Sequence, residues 1–163
     1  MQIKQLKSNG VVKQIVQIDT IQSAALIGNF CSDFIELEWF EVHKRTLTRA
    51  TNNGQTLRVE LPEKQEWKHG DGLYFQGILL ATIHIKPCLT IAFQSMGLVD
   101  AADFCYYIGN RHLPIYATQQ NGLFLVPYDG QLYEQLQARY SNRISLREEQ
   151  LFAEHVVRKK TAS

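Results

Sequence analysis

Along the first half of the chain, apolar and polar residues alternate in short runs. "VVKQIVQI" (Val11–Ile18) and "FIELEW" (Phe34–Trp39) repeat with a period of two, as half-buried strands do. "RTLTRAT" and "QTLRVEL" flank Asn52-Asn53-Gly54. Asn-Gly accepts the positive φ of a type I′ turn, so a hairpin is expected there. "GLYF" and "ILLATIHI" flank Gln76-Gly77 and predict a second hairpin. No helical period of useful length interrupts these strands. The half reads as a small all-β domain, a sandwich or an open barrel.

The rhythm changes near Lys86-Pro87, where proline ends ladder pairing. "LTIAF" (Leu89–Phe93) is a short apolar strand. From Asp100 the spacing turns helical: Ala101, Phe104, Cys105 and Ile108 share one face. Gly109 stands where a glycine would close that helix. "LPIYA" and "GLFLV" predict strands around the polar loop Thr118–Asn121. "QLYEQLQARY" predicts a second helix on Leu132, Leu136 and Tyr140. Ser145 and Glu148 fit a helical capping box, yet Ile144 and Leu146 alternate. A short strand at 143–147 followed by a tail fits better, because β-α-β-β-α-β is a ferredoxin-like arrangement. The expected fold class is α+β in two domains: an all-β domain over 1–86, a ferredoxin-like domain over 87–147, then a tail over 148–163.

Composition narrows the classes. With 45% hydrophobic and 20% charged residues, the 163-residue chain reads as an ordinary globular protein. A formal net charge of +1 argues against nucleic-acid binding by charge alone. No apolar run approaches the ~20 residues that span a bilayer. The start, "MQIKQLKSNG", lacks the apolar core of a secretory signal. Three scattered cysteines, Cys31, Cys88 and Cys105, suit a reducing cytoplasm and give no zinc-site spacing.

No phosphate-binding loop, nucleophile elbow or HExxH is present. No catalytic residue is assigned, and Cys105 reads as core packing. Of five histidines, His84 reads as structural or edge-exposed, and His69 and His43 as solvated. His155 lies near the C-terminus. His112 differs by its setting. In "YYIGNRHLPIY" (Tyr106–Tyr116) it follows a helix end and precedes a strand, so it is either a turn residue or a side chain held out for a ligand.

"GNRHLPIY" resembles the signature of the UreE family of urease accessory proteins. "DFIELEWFEVHKRTLTRATNNGQTLRVELP", "HGDGLYF" and "AADFCYYIGNRHLPIY" are similar to further stretches of that family, and the likeness covers roughly Asp33 to Tyr140. The resemblance implies a cytoplasmic nickel metallochaperone, not an enzyme. It implies a first domain likened to the peptide-binding domains of chaperones, and a metal-binding second domain through which the chain forms a homodimer. It carries the family's metal histidine onto His112, placed near the twofold axis so that both copies face one ion. The implied partners are the urease apoprotein and its accessory assembly, which includes a GTPase. Neither nucleic acid nor membrane is implied.

Imidazole suits Ni(II), Cu(II) and Zn(II), and an isologous interface presents one residue twice. Two ligands leave the shell to water or the tail, where His155 is the candidate donor. Arg111 has no lone pair to give; it and Asn110 are candidates for fixing the turn or orienting the ligand. Many family members carry histidine-rich tails; this sequence ends "FAEHVVRKKTAS", with one histidine. One ion per dimer is therefore expected. The rival readings are a peptide- or protein-binding module with His112 a mere turn residue, and a general zinc or copper carrier.

Overall fold

The computed structural model describes residues 4–8, 11–24, 32–63 and 65–157. Cys31 and the end of the tail, 158–163, lie outside them. The described residues form mostly strands with two helices, a mixed α+β protein. The chain divides into two compact units, Met1–Lys86 and Pro87–Ser163.

Among the described residues, the first unit holds two sheets. One has the order β1-β2-β6-β5, built from Lys4–Ser8, Val11–Gln17, Thr56–Glu60 and Thr46–Ala50. The other has the order β3-β7-β8-β4, built from Thr20–Gln22, Gly72–Phe75, Ile78–Ile85 and Phe34–Leu37. Ile35, Leu37, Leu57, Val59, Leu73, Ile83 and Ile85 are buried, as strand alternation requires. Trp67 is fully buried, and its indole N–H donates to the Lys44 carbonyl at 2.7 Å.

The two predicted hairpins differ in their turns. Gln76 and Gly77 have φ of 51° and 77°, the left-handed pair of a type I′ turn. At Asn52-Asn53-Gly54 only Gly54 is left-handed, with φ of 89°, so the type I′ expectation is corrected. The Gly54 amide donates to the Thr51 carbonyl and the Thr51 amide to the Gln55 carbonyl. The cause is tertiary: the Asn52 amide donates to the Phe34 carbonyl at 2.9 Å, and the Asn53 amide to the Asp33 carboxylate at 3.0 Å. The turn widens to reach β4.

Glu41 is buried beside β5. Burial pushes its carboxyl up, but the Lys44 ammonium, the Glu38 amide and the Arg49 guanidinium outweigh that and hold it below the usual carboxylate range. His69 is half-buried rather than solvated: its Nδ1 accepts from the Ile85 amide at 3.2 Å. His84 stacks between Phe34, at 4.4 Å between ring centroids, and His69, at 5.1 Å. Burial, then the neighbouring His69, pushes the His84 imidazole below its ordinary value.

The second unit follows the order strand, helix, strand, strand, helix, strand. β9 is Pro87–Gln94, α1 Leu98–Gly109, β10 Tyr116–Ala117, β11 Leu123–Pro127, α2 Gly130–Tyr140 and β12 Ile144–Gln150. The antiparallel sheet has the order β10-β11-β9-β12. Both helices pack on one face. Phe104 and Ile108 from α1 and Leu132, Leu136 and Tyr140 from α2 share a core with Ile91, Phe93, Val126 and Ile144 from the sheet. Phe93 and Phe104 stack at 4.2 Å. Asp129 caps α2 by accepting the Leu132 amide at 2.8 Å.

The capping box at Ser145 loses to the strand. β12 pairs with β9 from Ile144 through Gln150, and that ladder satisfies more backbone than a helix start would. The strand therefore runs beyond 147, into the segment expected as tail. Residues 151–157 also pack against the unit: Leu151 and Ala153 are buried. β12 and β10 lie at opposite edges, so residues 151–155 cross between them. Val156 then bridges Tyr116, and the Val157 amide donates to the Ile115 carbonyl at 2.8 Å.

Candidate metal site at the end of α1

Helix α1 has a buried face and an exposed one. Phe104 and Ile108 face the core. Leu98, Val99, Ala102 and Tyr106 are exposed on the other side, with Leu98 87%, Val99 85% and Tyr106 71% exposed. Met96, just before the helix, is 85% exposed. A run of large apolar side chains on one helix face is the kind of surface that marks a protein contact. Tyr107 is not part of it: the ring is half-buried and packs against the core.

Gly109 does not close the helix in a left-handed conformation, as the sequence leads one to expect. It remains helical, Asn110 is the C-cap at φ −64°, and the chain turns at His112, with φ of 56°. The amides of Asn110, Arg111 and His112 donate to the carbonyls of Tyr106, Ile108 and Gly109, each at 3.0 Å. Successive bonds of this kind tighten the end and leave the left-handed step to residue 112. A side chain with positive φ is uncommon, although histidine tolerates it better than most. His112 is exposed.

Arg111 is the best-anchored residue of the turn. Its Nη1 donates to the Tyr107 carbonyl at 3.1 Å. Its Nη2 donates to the Tyr107 hydroxyl at 2.7 Å and to Gln135 Oε1 at 3.1 Å. The guanidinium lies 3.7 Å from the Tyr107 ring centroid. Tyr107 also donates to Gln135, at 3.2 Å. Arg139 lies 5.0 Å from the same ring and is tied to Asp103 at 2.8 Å. The Arg139 guanidinium and then the Tyr140 hydroxyl hold the Asp103 carboxyl below its ordinary value. Burial, then Asp103, pushes the Tyr140 hydroxyl up to about 12. Sequence reading placed Arg111 beside His112 but missed Tyr107, Gln135 and Arg139, because contacts between two helices leave no local pattern.

His155 is exposed and packs edge-on to Phe152 at 5.6 Å. Because Val156 is opposite Tyr116 in an antiparallel ladder, His155 lies toward Ala117, away from the His112 end of that segment. Among the described residues, no three His, Cys, Asp or Glu side chains gather as a metal site. Nor is any helix among them long and apolar enough to cross a membrane.

Comparison with known proteins decides the family. The chain is 34% identical over 113 residues to the urease accessory protein UreE of Flavobacterium johnsoniae, spanning 69% of this chain and 67% of that protein. The chain belongs to the UreE family. The UreE of Acetivibrio thermocellus is 29% identical over 104 residues, covering 64% of this chain and 67% of the relative. That of Actinobacillus pleuropneumoniae is 30% identical over 119 residues, covering 72% and 63%. No protein-family model matches the chain. UreE proteins are named for an accessory role in the urease system rather than for catalysis.

Proposed function

We propose that the chain is a cytoplasmic nickel metallochaperone that delivers Ni(II) during urease maturation. The observation that carries this reading is His112: an exposed imidazole on a fixed left-handed turn, at the end of a helix whose outer face is apolar and uncovered. One such side chain is too few to hold a divalent ion. A second copy across a twofold axis doubles it, and the α1 face of Leu98, Val99, Ala102 and Tyr106 is the surface for that copy. In this reading the second unit is the family's ferredoxin-like metal-binding domain and the first its peptide-binding-like domain. The partners are the urease apoprotein and its accessory assembly, including a GTPase.

Two imidazoles leave the remaining positions to water or to the tail, so the ion stays exchangeable, as delivery requires. His155 is the proposed tail donor. Zn(II) and Cu(II) suit the same nitrogen donors. Equilibrium dialysis against Ni(II), with Zn(II) as competitor, tests the reading. The parent retains nickel and His112→Ala does not. Equal retention by both proteins removes His112 from the site.

A further inference from the structure

The left-handed φ of His112 needs a cause, because such a conformation persists only where its surroundings over-determine it. Glycine would adopt it freely; the chain instead has a histidine there. On its C-terminal side the constraint is Leu113-Pro114 and the Ile115–Val157 hydrogen bond. On its N-terminal side it is Arg111, which uses both terminal nitrogens and its planar face on one tyrosine. It also reaches across to Gln135 on α2.

We propose that Arg111, Tyr107 and Gln135 form a clamp that holds His112 in its left-handed turn and so sets the aim of its imidazole at the metal. Arg111, Tyr107 and Gln135 are positioning residues: none is offered as a ligand. The inference rests on the reading of His112 as the nickel ligand.

The geometry has three parts. The Tyr107 carbonyl belongs to the last turn of α1, where carbonyls lack helical partners; Arg111 Nη1 donates to it at 3.1 Å. The Tyr107 ring is held from the core side by Tyr140, edge-on at 6.5 Å, and a second guanidinium, Arg139, lies 5.0 Å away. The platform on which Arg111 lies is therefore itself fixed. Gln135 Oε1 accepts from both Tyr107 and Arg111, at 3.2 and 3.1 Å, which joins the end of α1 to the middle of α2. A lysine cannot reproduce this: it has neither the planar fork nor the stacking face. Retaining the charge at 111 is not enough.

The test uses the full chain with Ni(II) alone as probe, and variants Arg111→Lys, Gln135→Leu and Tyr107→Phe beside His112→Ala. Each clamp variant should weaken Ni(II) binding by roughly 10-fold or more, the usual effect of removing a group that orients a ligand. The absorption bands of bound Ni(II) should shift, and the melting midpoint should stay near the parent's. Arg111→Lys with Gln135→Leu should be no worse than the worse single change, because both open the same fork. Without metal, the amide–Hα coupling of residue 112 should leave the left-handed range in Arg111→Lys. Parent affinity and spectrum in the clamp variants, while His112→Ala loses nickel, overturn the clamp. So does an affinity loss matched by general unfolding, or an unchanged coupling. If His112→Ala binds nickel as the parent does, the reading of the site falls instead, and the metal-free coupling still decides whether the clamp fixes the turn.

Discussion

Replacing His112 by glycine should stabilise the protein while abolishing its proposed function. The left-handed conformation costs an L-residue about 1–2 kcal/mol, and His112 adopts it with φ of 56°. Glycine removes that cost but brings back about 0.5–1 kcal/mol of chain entropy in the unfolded state. The imidazole is exposed, so almost no apolar burial is lost with it. The net is a gain of about 0.5–1 kcal/mol. His112→Ala removes the ring and keeps the strain, so it should lie within about 0.5 kcal/mol of the parent. Urea unfolding of the three proteins, followed by tyrosine fluorescence near the second unit's core, measures the order: glycine above parent, alanine beside parent. A glycine variant less stable than the parent by more than about 1 kcal/mol would show that the imidazole holds the turn together, and the account of His112 as an exposed, strained ligand would fail.

Other perturbations separate the two units and the tail. Phe104→Ala should destabilise the second unit by about 3–5 kcal/mol, because the ring is fully buried and stacked on Phe93; a loss under 1 kcal/mol in denaturant titration contradicts that packing. His84 titrates below its ordinary value in the fold, so the unfolded chain takes the proton first. Stability should therefore fall as pH drops below about 6.5, and less so in His84→Phe, which keeps the stack on Phe34; parallel pH profiles would refute the assignment. The lowered carboxyls of Glu41, Asp100 and Asp103 act in a separate window, with stability lost only as pH falls below the usual carboxylate range. Truncation from Glu154 removes the Val156 bridge and the Val157–Ile115 hydrogen bond, and should cost about 1–2 kcal/mol; a truncated chain that melts with the parent would show the bridge to be dispensable.

What the sequence made legible was whatever local periodicity governs. The strand alternation of the first half, the two helices, and the buried triplet Leu132, Leu136 and Tyr140 all follow from spacing. Long-range pairing was not legible. The Asn-Gly turn widens because Asp33 and Phe34 capture its amides. The capping box at Ser145 yields because β9 offers a full ladder. The tail returns to Ile115 and Tyr116 because the edge of β10 is open to it. At the end of α1, glycine's usual place at a helix end pointed to Gly109 as the left-handed residue. The left-handed residue is His112, next to an Arg111 whose side chain bonds Tyr107 and Gln135. An interhelical clamp is invisible to any window of sequence.

The central claim is one ion shared by two copies of His112. Native mass spectrometry during nickel titration tests it most directly. The account predicts a dimer already present in chelator, held by the apolar α1 face, which then takes up one Ni(II) per two chains with high affinity; His112→Ala should remain a dimer and take up none. A protein that binds one ion per monomer, or a His112→Ala dimer that still binds one nickel tightly, would contradict it.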